Sequence, residues 1–393
     1  MPSGWQETWR RWLQRLYASE RMYRWSLSNP LTRRITRRRT RQLFDLMAGF
    51  VHSQVLLACV RLNVFALVGE MPQTVAALAL RTGVPQAELQ RLLLSAVSLG
   101  LLEHRTQGRL GLGPLGVPLL AHPGIALMVE HNHLLYQDLA DPLAFLQQGQ
   151  ADRPGREGAM AAYWPYAQGP NGPGEAAPAE QIRRYSELMA ASQGFVVQEI
   201  LSSYYFGEHR CVLDIGAGQG RFVSALAQHA PHLQLQMFDL PAVLAQARER
   251  LSQAGVSARV QLHPGSFLDD PLPPGADLMT LVRVLHDHPD SVVRQVLHKA
   301  HQALPPGGVL LVAEPMAQDA SAPARDLADA YYHFYLMAMG AGRLRTPREI
   351  AALLEEAGFV AVEQVPNAMP IHGQLVLGRK GLPRVLANSV NKG

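Results

Sequence analysis

Cysteine is scarce in this sequence, with two residues, Cys59 and Cys211, among 393. Both lie inside apolar runs at a spacing that suits no metal site, so we interpret them as small core residues in a reducing compartment. The N-terminus lacks the apolar core of a signal peptide, and no uninterrupted apolar stretch reaches the roughly 18 residues of a membrane span. We therefore expect a cytoplasmic protein, with a peripheral location on the inner membrane as the alternative.

The net positive charge is concentrated at the N-terminal end of the chain. Residues 1–44 carry eleven arginines and two glutamates, a net +9, whereas the whole chain carries +4, which leaves −5 for the rest. Four of the five tryptophans lie in this extension, and helical spacing places an aromatic and apolar set on one face: Trp5, Trp9, Trp12, Leu13, Leu16 and Tyr23. Two interpretations stay open, a solvated charge run beside a docked helix or a helix lying on an anionic membrane surface.

Residues 45–148 are predicted to form a mostly helical domain that ends in a small hairpin. The pattern gives helices at Leu46–Leu62, Val75–Thr82 with Thr74 as its cap, and Gln86–Leu99, then a hairpin from Leu101 to Leu112. This order resembles a winged helix. A DNA-binding regulator needs a basic face on the helix that enters the groove, but that helix offers Arg91, Glu88 and leucines. We therefore favour a packing or dimerisation module.

Residues 149–180 are rich in glycine, proline and alanine, which predicts a long loop. An aromatic cluster within it, Tyr163, Trp164 and Tyr166, either lines an apolar pocket or pins the loop to the surface. A helix from about Ala179 to Ser203, carrying Met189, is expected to lead into a second domain over residues 181–385.

That second domain is organised around a glycine-rich turn. The apolar run from Val212 to Ile215 predicts a buried strand, and Gly216, Gly218 and Gly220 follow it before a helix. Such a strand, loop and helix unit binds nucleotides at the helix N-terminus. A dinucleotide fingerprint needs G-x-G-x-x-G, whereas the third glycine comes one residue early here. Asp239, at the end of the next strand, can accept ribose hydroxyls from either kind of cofactor.

Strands and helices then alternate, which predicts a doubly wound α/β sheet. The predicted strands are Leu233–Phe238, Val260–His263, Asp277–Val282 and Val309–Ala313, with an antiparallel pair near Val360–Val365 and Gln374–Leu377. Because such sheets bind ligands at the carboxyl ends of their strands, we expect the chemistry near residues 216, 239, 264–267, 283–288 and 314.

Two residues at that edge suit proton transfer. His286 follows the fourth strand and is a candidate general base, and Glu314 ends the fifth strand, where it could fix the imidazole tautomer. The alternative for His286 taken alone is a histidine that caps the loop. Zinc binding by His286 and His288 is not expected, since no third ligand cluster accompanies them.

Four motifs of the chain point to a known family. They are the glycine-rich turn at 212–220, Phe-Asp-Leu-Pro at 238–241, Leu-His-Asp-His-Pro-Asp at 285–290 and Pro-Gly-Gly-Val at 306–309. In these four motifs the chain resembles the caffeate-type O-methyltransferase family. The resemblance spans about residues 45–380. It implies a class I methyltransferase domain with a Rossmann-like sheet, an N-terminal dimerisation domain, a homodimer, and S-adenosyl-L-methionine (SAM) as cofactor. In its length and in its basic N-terminal extension, the chain looks most similar to the 1-hydroxycarotenoid O-methyltransferases of purple bacteria.

The resemblance also assigns roles to residues. It places Gly216 at the methionine end of SAM, Asp239 on the ribose and Phe267 on the adenine, with Gly218 and Arg283 also in the cofactor site. It makes His286 the base and Glu314 its partner. Two positions depart from the family pattern. Ser266 stands where an aspartate is usual, so the adenine contact either is lost or passes to the Ser266 hydroxyl, which we count among the cofactor-binding groups. Leu344 stands where a second glutamate is expected.

We therefore expect a SAM-dependent O-methyltransferase that acts on the hydroxyl of a long apolar molecule, in particular a 1-hydroxycarotenoid. A site with one carboxylate is more apolar than sites built for phenols, and this favours such a substrate. The alternatives are the same chemistry on a bacteriochlorophyll precursor or an aromatic metabolite and, from another class, the DNA-binding regulator.

Overall fold

The structure, a computed structural model, describes residues 4–147, 158–163, 194–319, 327–340, 342–370 and 373–382. Of the loop expected at 149–180 the structure describes residues 158–163, and there a short helix, Ala159–Tyr163, replaces the expected loop. The expectations for the rest of that loop, for Trp164 and Tyr166, and for Met189 lie outside the described residues. The chain divides into two compact units, Met1–His122 and Pro123–Gly393. The helices between 123 and 147, which the sequence assigned to the first domain, group with the second unit. The further boundaries at 44 and 180 stay predictions.

The first unit is helical apart from one hairpin. Its helices are α1 Gly4–Tyr17, α2 Glu20–Ser28, α3 Pro30–Arg61, α4 Val64–Glu70, α5 Val75–Thr82, α6 Gln86–Ser98 and α7 Val117–Ala121. The strands β1 Leu102–His104 and β2 Leu110–Leu112 pair antiparallel around a 3-10 turn, as predicted. Thr74 caps α5 by accepting a hydrogen bond from Ala77 N. The hairpin is thus confirmed, while the winged-helix name stays a prediction.

Helix α3 begins far earlier than the predicted Leu46. Asn29 caps it by accepting from Leu31 N, and Pro30 occupies the first helical turn, where a missing N–H costs nothing. The arginine cluster at 33–41 therefore lies on a helix, fully exposed. Helix α2 is fastened to this segment by Thr32 Oγ1, which donates to Ser26 O at 2.9 Å, and by a 3.1 Å contact between Thr36 Oγ1 and Ser26 Oγ.

The C-terminal half of α3 has an unexpectedly large apolar surface. By length and composition α3 could cross a membrane, and 17% of its apolar window is buried. The expectation that no uninterrupted apolar stretch reaches about 18 residues holds for α3, because Asp45, His52 and Gln54 interrupt it, although its mean hydropathy meets the criterion for a span. Core helices and N-terminal signal sequences meet the same criterion, so it assigns no span by itself. The exposed apolar side chains are Leu43, Phe44, Leu46, Met47, Phe50 and Val51.

The second unit contains a seven-stranded sheet in the order β5-β4-β3-β6-β7-β9-β8. The strands are β3 Cys211–Ile215, β4 Gln234–Asp239, β5 Val260–Pro264, β6 Leu278–Val282, β7 Val309–Glu314, β8 Phe359–Val365 and β9 Gln374–Lys380. Strands β3 to β7 pair parallel, and β9 pairs antiparallel with both β7 and β8. The predicted parallel sheet and terminal antiparallel pair are confirmed.

Helices cover both faces of this sheet. Within the described residues, the helices packed in the two sheet cores are α11 (residues 194–203), α12 Arg221–His229, α13 Pro241–Gln253, α14 Asp290–Ala303 and α16 Pro347–Glu356. The helices α8 Pro123–Asp138, α9 Pro142–Gln147, α10 Ala159–Tyr163 and α15 Leu327–Met339 pack together in a separate apolar cluster. Alternate residues of β3 enter different cores: Val212 packs with α12 and α13, and Leu213 packs with α14 and α16. Because β6 and β7 are buried along their whole length, their carboxyl ends are rigid mounts for the residues that follow.

Candidate active site

The glycine-rich turn joins β3 to α12 in a backbone shape that needs glycine. Gly216, Gly218 and Gly220 have φ values of +69°, +55° and +73°, which L side chains rarely adopt. A Cβ at Gly216 would come within 2.8 Å of Val284, whereas one at Gly218 would meet nothing within 4 Å. The turn is thus packed on one side and open on the other, so a ligand can approach its backbone.

Asp239 links this turn to the next helix. Its two carboxylate oxygens accept from Gly218 N and Leu240 N, each at 2.7 Å. Burial raises the pKa of Asp239, although both backbone N–H groups oppose that shift. Each carboxylate oxygen can accept more than one hydrogen bond, so the group retains capacity for a ligand hydroxyl.

Sequence reasoning missed a second carboxyl group beneath the turn. Asp214, in β3, is buried and accepts a 2.6 Å hydrogen bond from Thr280 Oγ1 of the neighbouring strand β6. Burial raises its pKa to about 7. The available signal was an acidic residue inside an otherwise apolar strand, two positions before Gly216.

The segment after β5 supplies one aromatic face. The Phe267 ring lies edge-on to His288, with ring centroids 5.3 Å apart, and a Cβ at Gly216 would lie 3.8 Å from it. Ser266 Oγ accepts from Leu268 N, and Ser266 N donates to Asp270, so both groups serve their own loop. The structure brings Phe267 to the glycine turn but engages Ser266 locally.

His286 and Glu314 meet at the carboxyl ends of β6 and β7. His286 lies in a buried 3-10 turn, Leu285–Asp287, and its Nδ1 contacts Glu314 Oε2. Glu314 Oε1 accepts from Val284 N at 2.8 Å and Leu285 N at 2.7 Å. Because a carboxylate only accepts, Nδ1 carries the proton, and Nε2 is the basic atom of the neutral ring.

The charges around His286 decide its protonation. Burial by itself lowers its pKa, but the carboxylates of Asp287 and Glu314 and the hydrogen bond that the imidazole donates to Glu314 outweigh burial, so the pKa of His286 is raised. Asp287 Oδ1 lies 3.3 Å from Nε2. Arg283 opposes the rise; its backbone has φ +58°, and its N donates to Ala313 O at 2.9 Å.

Helix α15 forms an aromatic wall beside this turn. Tyr335 OH contacts His131 Nε2 of α8 at 3.1 Å, Tyr331 OH donates to Asn132 Oδ1 at 2.8 Å, and the two tyrosine rings stack 5.6 Å apart. Leu344, at the position expected to hold a second glutamate, is 4% exposed and belongs to the same apolar cluster. Sequence reasoning did not identify these tyrosines.

The described site residues thus converge on one edge of the sheet, and they fit the cofactor that the motifs imply. The open backbone at Gly218, the free acceptor capacity of Asp239 and the Phe267 ring suit an adenosine-containing ligand beside a proton acceptor at His286. In the residues that the structure describes, no group of three or more His, Cys, Asp or Glu side chains is placed to hold a metal ion. The arrangement can bind a nucleoside and remove a proton from a neighbouring hydroxyl.

Two family models match this chain. The O-methyltransferase domain matches residues 136–360, and the O-methyltransferase dimerisation domain matches residues 44–121. The latter supports homodimer formation.

Characterised relatives are similar over most of the chain. The demethylspheroidene O-methyltransferase of Cereibacter sphaeroides is 45% identical over 341 residues, which cover 87% of each chain. The enzyme of that name from Rhodobacter capsulatus is 42% identical over 367 residues, covering 93% of this chain and 89% of the relative. Among solved structures, human N-acetylserotonin methyltransferase in complex with SAM matches with a TM-score of 0.71 at 25% identity, covering 87% of this chain and 97% of that chain.

Proposed function

This chain belongs to the SAM-dependent O-methyltransferase family, and from that premise we propose that it methylates the hydroxyl of a 1-hydroxycarotenoid of the demethylspheroidene type. The observation that carries the proposal is the identity of 42–45% to two demethylspheroidene O-methyltransferases over most of the chain. The apolar character around Leu344 and the α15 tyrosines supports it, because a polyene needs a pocket without unpaired charge.

His286 is the general base in this proposal. The bound cofactor supplies an electrophilic methyl group on a sulfonium centre, and an aliphatic hydroxyl attacks it effectively only while losing its proton. His286 Nε2 accepts that proton, and Glu314 holds the Nδ1 proton in place so that Nε2 stays the basic atom. Asp287, 3.3 Å from Nε2, stabilises the imidazolium that forms.

The remaining site residues hold the cofactor. Asp239 accepts the ribose hydroxyls, Phe267 packs on the adenine, and the backbone of Gly216 and Gly218 lies along the methionine side. Arg283 follows β6 directly and precedes the turn Leu285–Asp287, and its backbone is strained, with φ +58°. In this proposal it contributes to the methionine side of the cofactor site. Ser266 contributes to the adenine contact by donating its hydroxyl proton, because its oxygen already accepts a hydrogen bond from Leu268 N.

The substrate proposal is tested by product analysis with the full-length protein. Purified enzyme, SAM and a 1-hydroxycarotenoid in detergent micelles should give a product carrying one added methyl group, detected by mass spectrometry. A bacteriochlorophyll precursor and a simple phenol serve as competing substrates. Methylation of either competitor with none of the carotenoid would reject the substrate class while leaving the methyltransferase family intact.

We further propose that residues 1–41 bring the enzyme to an anionic membrane surface, where such a substrate resides. The rings of Trp5, Trp9 and Trp12 stack in sequence, at 6.3 and 5.1 Å, and are at least half exposed. The same helix, α1, carries the exposed arginines Arg10, Arg11 and Arg15. An aromatic face on a helix that also carries arginines suits the headgroup boundary, and each arginine near an anionic surface contributes about 1 kcal/mol.

Vesicle sedimentation tests the membrane contact. Deleting residues 1–41 should release the protein from anionic vesicles, preserve SAM binding, and lower activity on membrane-embedded substrate far more than on micellar substrate. Replacing Trp5, Trp9 and Trp12 by alanine, with every arginine kept, should weaken vesicle binding less than the deletion. A truncated protein that still binds vesicles but becomes monomeric would place this segment in the dimer instead.

A further inference from the structure

One arginine outside the assigned site, Arg345, binds the backbone at both ends of the turn that carries His286. We call this turn, Leu285–Asp287 with the following His288, the catalytic turn. Arg345 is 2% exposed and is among the largest fully buried side chains of the described residues. Its Nη1 donates to Leu285 O and its Nη2 to His288 O, both at 2.8 Å. These carbonyls flank His286 and Asp287 on either side, so one guanidinium spans the whole turn.

The guanidinium is fixed at its other end by Asp290. Arg345 Nε and Nη2 both donate to Asp290 Oδ1, at 3.0 and 2.6 Å. Arg343 shares the same carboxylate, and the two arginines hold the pKa of Asp290 down to about 2. Asp290 therefore stays ionised, and Arg345 presents its remaining donors to the turn in a fixed planar geometry.

The backbone around Arg345 connects the turn to Glu314. Ala317 N donates to Arg345 O at 2.9 Å, and Met316 and Arg345 form an isolated parallel bridge just beyond the end of β7. Gly342 lies directly against the turn, because a Cβ there would fall 1.9 Å from His286 O. The segment 342–345 is thus packed between the strand that carries Glu314 and the turn that carries His286.

We propose that Arg345 is a positioning residue that sets the His286–Glu314 hydrogen bond by holding the C-terminal side of the catalytic turn. Glu314 holds the N-terminal side through Val284 N and Leu285 N. With both sides held, the imidazole cannot drift from the carboxylate that fixes its tautomer. This inference rests on the proposed role of His286 as the base.

The proposal has a pH signature because the groups facing His286 are known. They are Asp287 and His288 on the same segment, Arg283 before it and Glu314 on β7. From α15, Tyr335 interacts with Asp287, and Arg345 acts electrostatically on His288. Loosening the turn should weaken the bond to Glu314, which raises the pKa of His286, and so move the acid limb of the rate profile to lower pH.

The test compares Arg345→Lys with Arg343→Met in the full-length enzyme. Lysine keeps the charge but cannot span both carbonyls, so kcat should fall about 10- to 100-fold, the cost of a displacement of about 1 Å. SAM affinity should stay within about threefold, and the acid limb should shift to lower pH. Arg343 binds Asp290 and Glu349 but no carbonyl of the turn, so its variant should keep the wild-type profile.

A second variant and a reference variant make the outcome decisive. Arg345→Gln, which is shorter and cannot bridge both turn carbonyls and Asp290, should give the same pH shift and serves as the second variant. An unchanged pH profile in both folded variants, or an equal shift in Arg343→Met, overturns the inference. An active His286→Ala enzyme would instead refute the base assignment, whereas an inactive one beside a normal Arg345→Lys enzyme refutes only the role of Arg345.

Discussion

Replacing Glu314 with glutamine tests the proton arrangement of the site with little change in shape. Glu314 Oε1 accepts two backbone N–H groups, at 2.8 and 2.7 Å, while Oε2 meets His286 Nδ1. An amide nitrogen at the Oε1 position would leave two buried donors unpaired, at about 1–3 kcal/mol each. The amide oxygen should therefore keep that position and the NH2 group should face Nδ1.

Facing an NH2 group, Nδ1 must become an acceptor, and the ring proton moves to Nε2. The base then has no lone pair toward the substrate, so kcat should fall about 10³- to 10⁴-fold, or about 4–5.5 kcal/mol of barrier. SAM affinity and the melting temperature should change little. Quenched-flow methyl transfer from labelled SAM gives the rate, and 15N shifts of His286, assigned with His286→Ala, report the tautomer. A glutamine variant with more than a tenth of wild-type kcat would refute the tautomer argument.

Three further predictions follow from the same edge of the sheet. His286→Ala should lower turnover about 10²- to 10⁴-fold in steady-state assays with SAM affinity nearly intact, and His288→Ala should cost far less; the reverse order would exchange their roles. Asp239→Ala should weaken SAM binding by about 1.5–3 kcal/mol in isothermal titration, and an unchanged Kd would remove Asp239 from the cofactor site. The Asp214 carboxyl has a folded pKa raised from 3.8 to about 7, so its folded form holds a proton that the unfolded chain releases, and stability falls as pH rises through that window. Asp214→Asn, which still accepts from Thr280, should therefore gain in melting temperature over wild type more at pH 8 than at pH 5, and a pH-independent difference would contradict this.

Local sequence patterns were sufficient for the sheet and for the pairing of His286 with Glu314. Parallel strands that end at one edge bring the residues after them together, and the apolar runs and glycines mark those ends. The Asp214–Thr280 bond and the contacts of Arg345 depend on residues 55–66 positions apart, and no periodicity encodes such pairs. Their detection requires the strand register.

The start of α3 was missed for a different reason. The apolar period begins only near Leu46, but arginine is a good helix former and continues the helix back to Pro30. Asn29 followed by Pro30 is a helix-start signal that the charge run obscured. A hydrophobic period locates the face of a helix, and the caps locate its ends.

The continuity of α3 also bears on the affinity of the proposed contact between the enzyme and a membrane. Its 32 residues extend about 48 Å without a proline after Pro30, so the exposed arginines and the start of the dimerisation domain at residue 44 belong to one rod. A homodimer carries two such rods, so under the proposed membrane contact the second contact of a bound dimer with a bilayer is intramolecular. Avidity of this kind can exceed the affinity of one contact by about 10²- to 10⁴-fold. Residence at the membrane would then follow subunit association, and dilution below the dimer dissociation constant would release the enzyme from the bilayer with every lipid contact residue still intact.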